Sequence, residues 1–201
     1  MLFWVAWVWG TASGSDGGFE PVRAASGCAI SMRPGSHVDG AAMRAECDWP
    51  DVQPDVLARM LERYERYPEY VYPIDVARIE RIEVDRTLVY QRQVIFGIAA
   101  REVLLWIQRE PLPGGVRFAW TTASEEPLIL TRGAVRAPRN EGSWSVTQRD
   151  GGGSKVVHEI AMDAGGAVPR WLIELVRTRA FARIMTEVHA LGAARSLEPG
   201  R

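Results

Sequence analysis

The sequence nearly lacks lysine: Lys155 is the only one, and arginine supplies almost all the positive charge. That skew reads as base composition of the genome rather than as mechanism. The formal net charge is −1 over 201 residues, which leaves no electrostatic footprint for nucleic acid. There are two cysteines, Cys28 and Cys47, and three histidines, His37, His158 and His189. None of these stands at metal-ligand spacing from another, so no metal is expected. A phosphate-binding loop is also missing. Gly151-Gly-Gly153 lies between two strand-like stretches and has no helix or lysine behind it. No apolar run approaches the roughly 20 residues that a membrane-crossing helix needs. Strand and helix patterns do not alternate, which argues against a doubly wound or barrel enzyme fold.

What is present suits one domain with a sizeable core. Eight tryptophans are many for this length and fit a wide core or a cavity wall. Three of them lie in the first ten residues, in an apolar run from Leu2 to Trp9 followed by Gly10-Thr-Ala-Ser-Gly14. This pattern has the h-region and small-residue cleavage zone of a secretory signal, although no Lys or Arg precedes it. The expectation is an export signal over 1–14, a mature chain from about residue 15, and a periplasmic or secreted location. The alternatives are a mis-assigned start or a packed apolar segment, with the protein then cytoplasmic. Phe3, Trp4, Trp7 and Trp9 also suit, less well, an interfacial anchor.

Residues 15–26 are small and polar, with Phe19 and Val22 as anchors. Alternation predicts strands over 28–32 and 43–47, separated by a turn at Pro34-Gly-Ser36. Asp51 is positioned to cap a helix running to Arg66, with Val56, Leu57, Met60 and Leu61 on one face. Pro68 and Pro73 bracket an aromatic turn. The period is then two for about 90 residues, predicting strands over 76–84, 87–96, 101–110, 116–122, 130–137, 143–149 and 155–162. Residues 111–115 and 150–153 read as hairpin connections. A last helix is predicted over 168–191, with Pro169 in its first turn. Its first half (Trp171, Leu172, Ile173, Leu175, Val176) is apolar almost all round and is expected to be enclosed. Its second half carries one stripe, Phe181, Ile184, Val188 and Leu191, expected to rest on the sheet.

The order of strand hairpin, helix, curved antiparallel sheet and long C-terminal helix resembles bacterial START-domain proteins of the SRPBCC superfamily, and specific residues carry the likeness. Gly27-Cys-Ala-Ile-Ser-Met-Arg33 with its turn is similar to the family's first strand. Tyr67-Pro-Glu-Tyr-Val-Tyr-Pro73 resembles the aromatic turn after the first major helix, with Tyr70 where tryptophan is usual. Arg101-Glu102 stands where the family usually has Arg-Asp. Val135-Arg136 and Glu141-Gly-Ser-Trp144 match the family's Val-Arg and Gly-x-Trp strands. Asp163-Ala-Gly-Gly-Ala-Val-Pro-Arg-Trp-Leu172 matches the entry to its last helix, with Ala164 replacing proline. The likeness covers about residues 19–191. Each motif alone is weak, and their order and spacing together are specific.

The resemblance implies an α+β helix-grip fold over 15–193, with a flexible tail over 194–201. A curved antiparallel sheet would wrap around the long C-terminal helix and enclose an internal hydrophobic cavity. It implies a lipid or other apolar small molecule as partner, transient membrane contact, no nucleic acid and no cofactor. Family members also often carry an export signal. In the family the counterpart of Arg101 can face the cavity and orient a polar ligand group. Here the plain alternative is a strand-end arginine paired with Glu102. Trp120, Trp144 and Trp171 are candidate cavity walls, with core packing as the alternative for each. Leu172 and Leu175 are expected to line the pocket. Tyr70 and Tyr90 could meet a ligand, though buried tyrosines usually bond the backbone. His158, on a strand between Val156 and Ile160, reads as a structural histidine, while His37 and His189 read as solvent-facing.

Binding without catalysis is the expected function. The competing classes are a polyketide aromatase or cyclase, which the superfamily includes, and an envelope protein with a filled core. Cyclisation would need an acid–base pair in the cavity, such as Arg101 with Glu102 or His158, and the sequence displays none. Cys28 and Cys47 are expected opposite each other on neighbouring strands. Either a disulfide or two buried thiols fits that placement.

Overall fold

Edge and centre of one large sheet are set by how each strand distributes its apolar side chains. A computed structural model describes residues 18–33, 42–95, 97–166 and 170–198, with the backbone alone over 170–178. The export signal expected over 1–14, the turn expected at 34–36, His37, the helix start expected at 168–169 and the side chains of Trp171, Leu172 and Leu175 lie outside the described residues. The described strands are β1 (Glu20–Ala25), β2 (Cys28–Arg33), β3 (Ala42–Trp49), β4 (Ile74–Ile82), β5 (Arg86–Gln93), β6 (Arg101–Leu112), β7 (Gly115–Thr122), β8 (Val135–Arg136), β9 (Arg139–Gln148) and β10 (Ser154–Asp163). They form one curved sheet in the order β1-β2-β3-β10-β9-β7-β6-β5-β4, antiparallel throughout, with β8 attached to β6 in parallel. Two helices complete the described fold, α1 (Pro54–Leu61) and α2 (Arg170–Ser196), with a 3-10 turn at Tyr64–Glu69.

β1 has no counterpart among the predicted strands. Its side chains are almost all exposed, so it shows no buried alternation. It is an edge strand that tolerates Pro21 beside a bulge. The turn that joins it to β2 has two residues at positive φ, Ser26 at 51° and Gly27 at 73°. That is the backbone twist a two-residue hairpin requires.

Two further elements differ from the sequence reading, α1 at both ends and the stretch 130–137. Asp51 does not cap α1. The N-cap is Gln53, without a side-chain bond, and Pro54 opens the helix. Asp51 instead meets His189 Nε2 at 3.0 Å, so His189 is not simply solvent-facing; its ring also lies 5.1 Å from that of Trp49. α1 stops at Leu61 because the next residues bury aromatic rings rather than continue the helical face. The Tyr67 and Tyr70 hydroxyls then donate to the Leu61 and Met60 carbonyls at 2.8 and 2.6 Å. These carbonyls are among those a helix end leaves without partners. The stretch 130–137 is a strand only at β8. β6 gives one edge to β7 from Leu105 onward, so only its first four residues are left, and β8 pairs with Arg101 and Glu102 there. The apolar residues before β8 cross the convex face, where Leu128 packs on Leu88, Tyr90, Leu104 and Trp106. Ile129 is left 95% exposed.

The main core fills the concave face. Alternate residues of β3, β10, β9, β7 and β6 point into it, including Ala45, Cys47, Val156, Trp144, Phe118 and Leu105. α1 adds Leu57, Met60 and Leu61, and α2 adds Phe181, Ile184, Met185 and Val188. The stripe read from the sequence is therefore the buried face of α2. Register pairs Cys28 with Cys47, Cα 3.9 Å apart, and the two are joined in a disulfide. α2 runs to Ser196, where Ser196 Oγ accepts from the Gln53 amide at 2.9 Å.

Candidate functional site

Not all of the concave face is filled. Between it, α2 and the chain that follows the 3-10 turn lies a pocket of about 140 Å³, counted as space open to the centre of a water molecule. One water needs roughly 10–15 Å³ on that measure, so this is no packing defect. β3 contributes Met43, β6 Leu105 and Ile107, β7 Trp120, β9 Trp144, and β10 Ile160 and Met162. The described roof is Ala180, Phe181 and Ile184 of α2, and Tyr67, Val71, Tyr72, Pro73 and Ile74 close one side. The described roof thus belongs to the half of α2 expected to rest on the sheet. The small Ala180 beside Phe181 leaves room there. Among the described lining residues there is no Asp, Glu, Lys or Arg.

Besides the Tyr67 and Tyr72 phenols, four polar side chains interrupt this wall: Gln91 and Gln93 of β5, Asn140 of β9 and His158 of β10. Strand alternation places Gln91 and Gln93 on one face, two residues apart. They are 4% and 6% exposed, and among the described residues their side-chain amides have no hydrogen-bond partner. Both amides open onto the pocket and are not sealed within the core. Asn140 is better supplied. Its Oδ1 accepts from Trp120 Nε1 at 2.9 Å and its backbone amide donates to Thr122 Oγ1 at 2.6 Å. Trp120 can lie flat across β9 because its register partner is Gly142; a Cβ there would stand 2.6 Å from the indole and 2.2 Å from the Glu159 carbonyl.

His158 is 2% exposed and stacked between two rings. Trp144 lies parallel at 3.6 Å between centroids and Phe181 at 5.1 Å. Its Nδ1 is 3.0 Å from the Ser143 carbonyl. A carbonyl only accepts, so Nδ1 carries the proton and Nε2 keeps its lone pair. Burial pushes the imidazole down to about 3, so the ring is neutral at ordinary pH. No described residue bonds Nε2.

The candidates read from the sequence separate into three groups. Trp120 and Trp144 line the pocket. Tyr70, Tyr90, Arg101 and Glu102 are not among its described walls. Tyr70 is spent on the end of α1. Tyr90 lies on the convex face beneath the Arg78 guanidinium, 4.1 Å from its ring centre. Arg101 shares the concave-facing side of β6, but its guanidinium donates to the Ala164, Ala99 and Gly165 carbonyls at 3.0, 2.5 and 3.0 Å. It clamps the chain that leads into α2 and does not reach into the pocket. Glu102 alternates to the other face, fully buried, and accepts from the Thr131 backbone amide at 3.1 Å and from the Thr131 hydroxyl. The two therefore do not pair. Trp171, Leu172 and Leu175 form the third group, whose side chains are not described.

Sequence reasoning missed Gln91, Gln93 and Asn140 as pocket residues. The signal was polar residues at every second position of a strand, but Leu88 and Tyr90 on its other face are equally buried, which hides which face is inward. Among the described residues no group of three or more His, Cys, Asp or Glu side chains could hold a metal ion, and no helix is long and apolar enough to cross a membrane.

This sheet-and-helix arrangement is the helix-grip fold of START domains. The chain aligns with a STAR-related lipid transfer protein of Xanthomonas axonopodis at a TM-score of 0.75 and 17% identity, covering 87% of this chain and 98% of that one. Human StAR-related lipid transfer protein 5 aligns at 0.81 and 14% identity, covering 91% and 89%. The Zhui aromatase/cyclase of Streptomyces sp. R1128 aligns at 0.56 and 14% identity, covering 82% and 95%. At these identities the likeness is one of fold. No protein-family model matches the chain. A stretch of 75 residues is 23% identical to the uncharacterized protein PA1579 of Pseudomonas aeruginosa, spanning 37% of each chain.

Proposed function

We propose that the protein binds one lipid or other hydrophobic small molecule in the pocket beneath α2, and that it does so without catalysis. The observation that carries this reading is the pocket itself, apolar over most of its wall and far larger than a packing void. Moving an apolar ligand from water into it gains roughly 25 cal/mol per Å² buried, so affinity needs few polar contacts. The START-like fold supports the same reading, since two of the proteins that share it are lipid transfer proteins by name.

An aromatase or cyclase shares the fold as well. Two geometries speak for binding instead. The Arg101 guanidinium is held by three carbonyls, and Glu102 faces away from the pocket. His158 is held neutral between two rings, with one nitrogen committed to a backbone carbonyl. The Cys28–Cys47 disulfide favours an oxidising compartment, the periplasm or the exterior, as the site of action.

Native mass spectrometry of the purified protein, followed by lipid extraction, tests the reading. A stoichiometric co-purifying lipid is the expected result. A protein that arrives empty and takes up no lipid from mixed vesicles would overturn it.

A further inference from the structure

A purely greasy pocket would serve any lipid tail; this one carries unanswered hydrogen-bonding groups at fixed places. Gln91 and Gln93 are each more than nine-tenths buried, line the pocket and have no partner among the described residues. His158 Nε2 is an acceptor with no described donor, presented from β10 and locked by the Ser143 carbonyl and the Trp144 and Phe181 rings. Buried polar groups are nearly always satisfied. Leaving these three open makes sense where a bound molecule completes them.

Building on the reading of the pocket as a lipid site, we infer that its ligand is uncharged and carries hydroxyl groups, and that Gln91, Gln93 and His158 receive them. An amide both donates and accepts, while the neutral imidazole presented here only accepts. A hydroxyl matches both partners because it donates to Nε2 or to an amide oxygen and accepts from an amide N–H. A ketone or ester leaves Nε2 unanswered. An ionised head group would find no charge among the described lining residues to offset its desolvation. On that face of β6, Arg101 is already committed to three carbonyls and Arg109 pairs with Glu62. The molecule so defined is an apolar body with neutral hydroxyls, as in a sterol or long-chain alcohol and unlike a phospholipid or fatty acid.

Delipidated protein titrated at pH 8 with dodecane, dodecanol, dodecanoate and dodecylphosphocholine, the last below its micelle concentration, tests this by quenching of tryptophan fluorescence. Dodecanol is expected to bind at least tenfold tighter than dodecanoate or dodecylphosphocholine. Replacing both glutamines (Gln91→Leu with Gln93→Leu) is expected to lower the dodecanol-to-dodecane affinity ratio about tenfold while raising the melting temperature of the empty protein. A merely structural pair would lower that temperature. His158→Phe, which keeps the ring stack, is expected to lower the same ratio. Dodecanoate or dodecylphosphocholine binding as tightly as dodecanol would overturn the inference and leave the lipid pocket standing. So would an unchanged ratio in the glutamine variant. Failure of all four to bind would overturn the lipid reading and this inference together.

Discussion

His158 sits in the protein as a neutral base, and that state makes stability depend on pH. Burial lowers its imidazole from the ordinary 6.5 to about 3. Between those values the unfolded chain holds a proton that the folded one refuses. Stability is therefore full above about pH 6.5 and is lost as pH falls toward 3. Urea midpoints measured from pH 7 to 4 should fall in the wild type and flatten in His158→Phe. Gly142 is a second single-residue determinant. Gly142→Ala puts a methyl 2.2 Å from the Glu159 carbonyl and 2.6 Å from the Trp120 ring, and the first of these is backbone that cannot swing away. Overpacking of this kind costs typically 1–3 kcal/mol. Urea unfolding should show that loss, and weaker ligand uptake should accompany it as the Trp120–Asn140 bond at 2.9 Å is disturbed. How these residues matter is decided by neighbours across the sheet. A histidine on an apolar strand and a glycine in a Gly-x-Trp motif were legible in the sequence; their consequences were not.

At the level of elements, α1 ends on tyrosine hydroxyls and β2 is tied to β3 by a disulfide. Tyr70→Phe removes the donor 2.6 Å from the Met60 carbonyl. The expected cost is about 1 kcal/mol in denaturant unfolding, with ligand affinity unchanged because that hydroxyl serves the helix end. A drop in affinity with no loss of stability would restore Tyr70 as a ligand residue. The Cys28–Cys47 disulfide closes a loop across 19 positions. Constraint of the unfolded chain over such a loop contributes roughly 3 kcal/mol. Unfolding of the oxidised protein and of Cys28→Ala with Cys47→Ala, compared in urea, should differ by about that amount. The alternation of Cys28 with Ile30 and Met32, and of Cys47 with Met43 and Ala45, already placed both thiols inward and near each other. Closure depended on register, which pairs Cys28 directly with Cys47. The short β8 shows the opposite situation: an apolar run reads as a strand, yet a strand needs a free edge, and β6 leaves only a four-residue stretch of one ahead of β7.

For the whole molecule, the pocket links ligand to stability. A ligand bound only by the folded state adds about 2.7 kcal/mol at one hundred times its Kd, so delipidation should lower the melting temperature and re-addition should restore it. Ala180→Trp fills the described roof of the pocket. It should abolish both ligand uptake and the ligand-dependent rise in melting temperature, read by fluorescence titration and thermal unfolding. The order of elements after β1, the antiparallel strands from Ile74 onward apart from the stretch 130–137, and the inward stripe of α2 were determined by the sequence itself, while Trp120 and Trp144 stood there as candidate walls that core packing fitted equally well. Each rests on local periodicity or on a short motif, and neighbouring residues in the chain suffice to specify it. Only the tertiary structure decided that Arg101 holds backbone carbonyls and that Glu102 faces the convex side. It alone brought Gln91, Gln93 and His158 to one pocket from separate arms of the sheet. The reason is geometric: β5 and β6 are buried on both faces, so their alternation does not say which side is inward, and only the curvature of the whole sheet beneath α2 makes that choice.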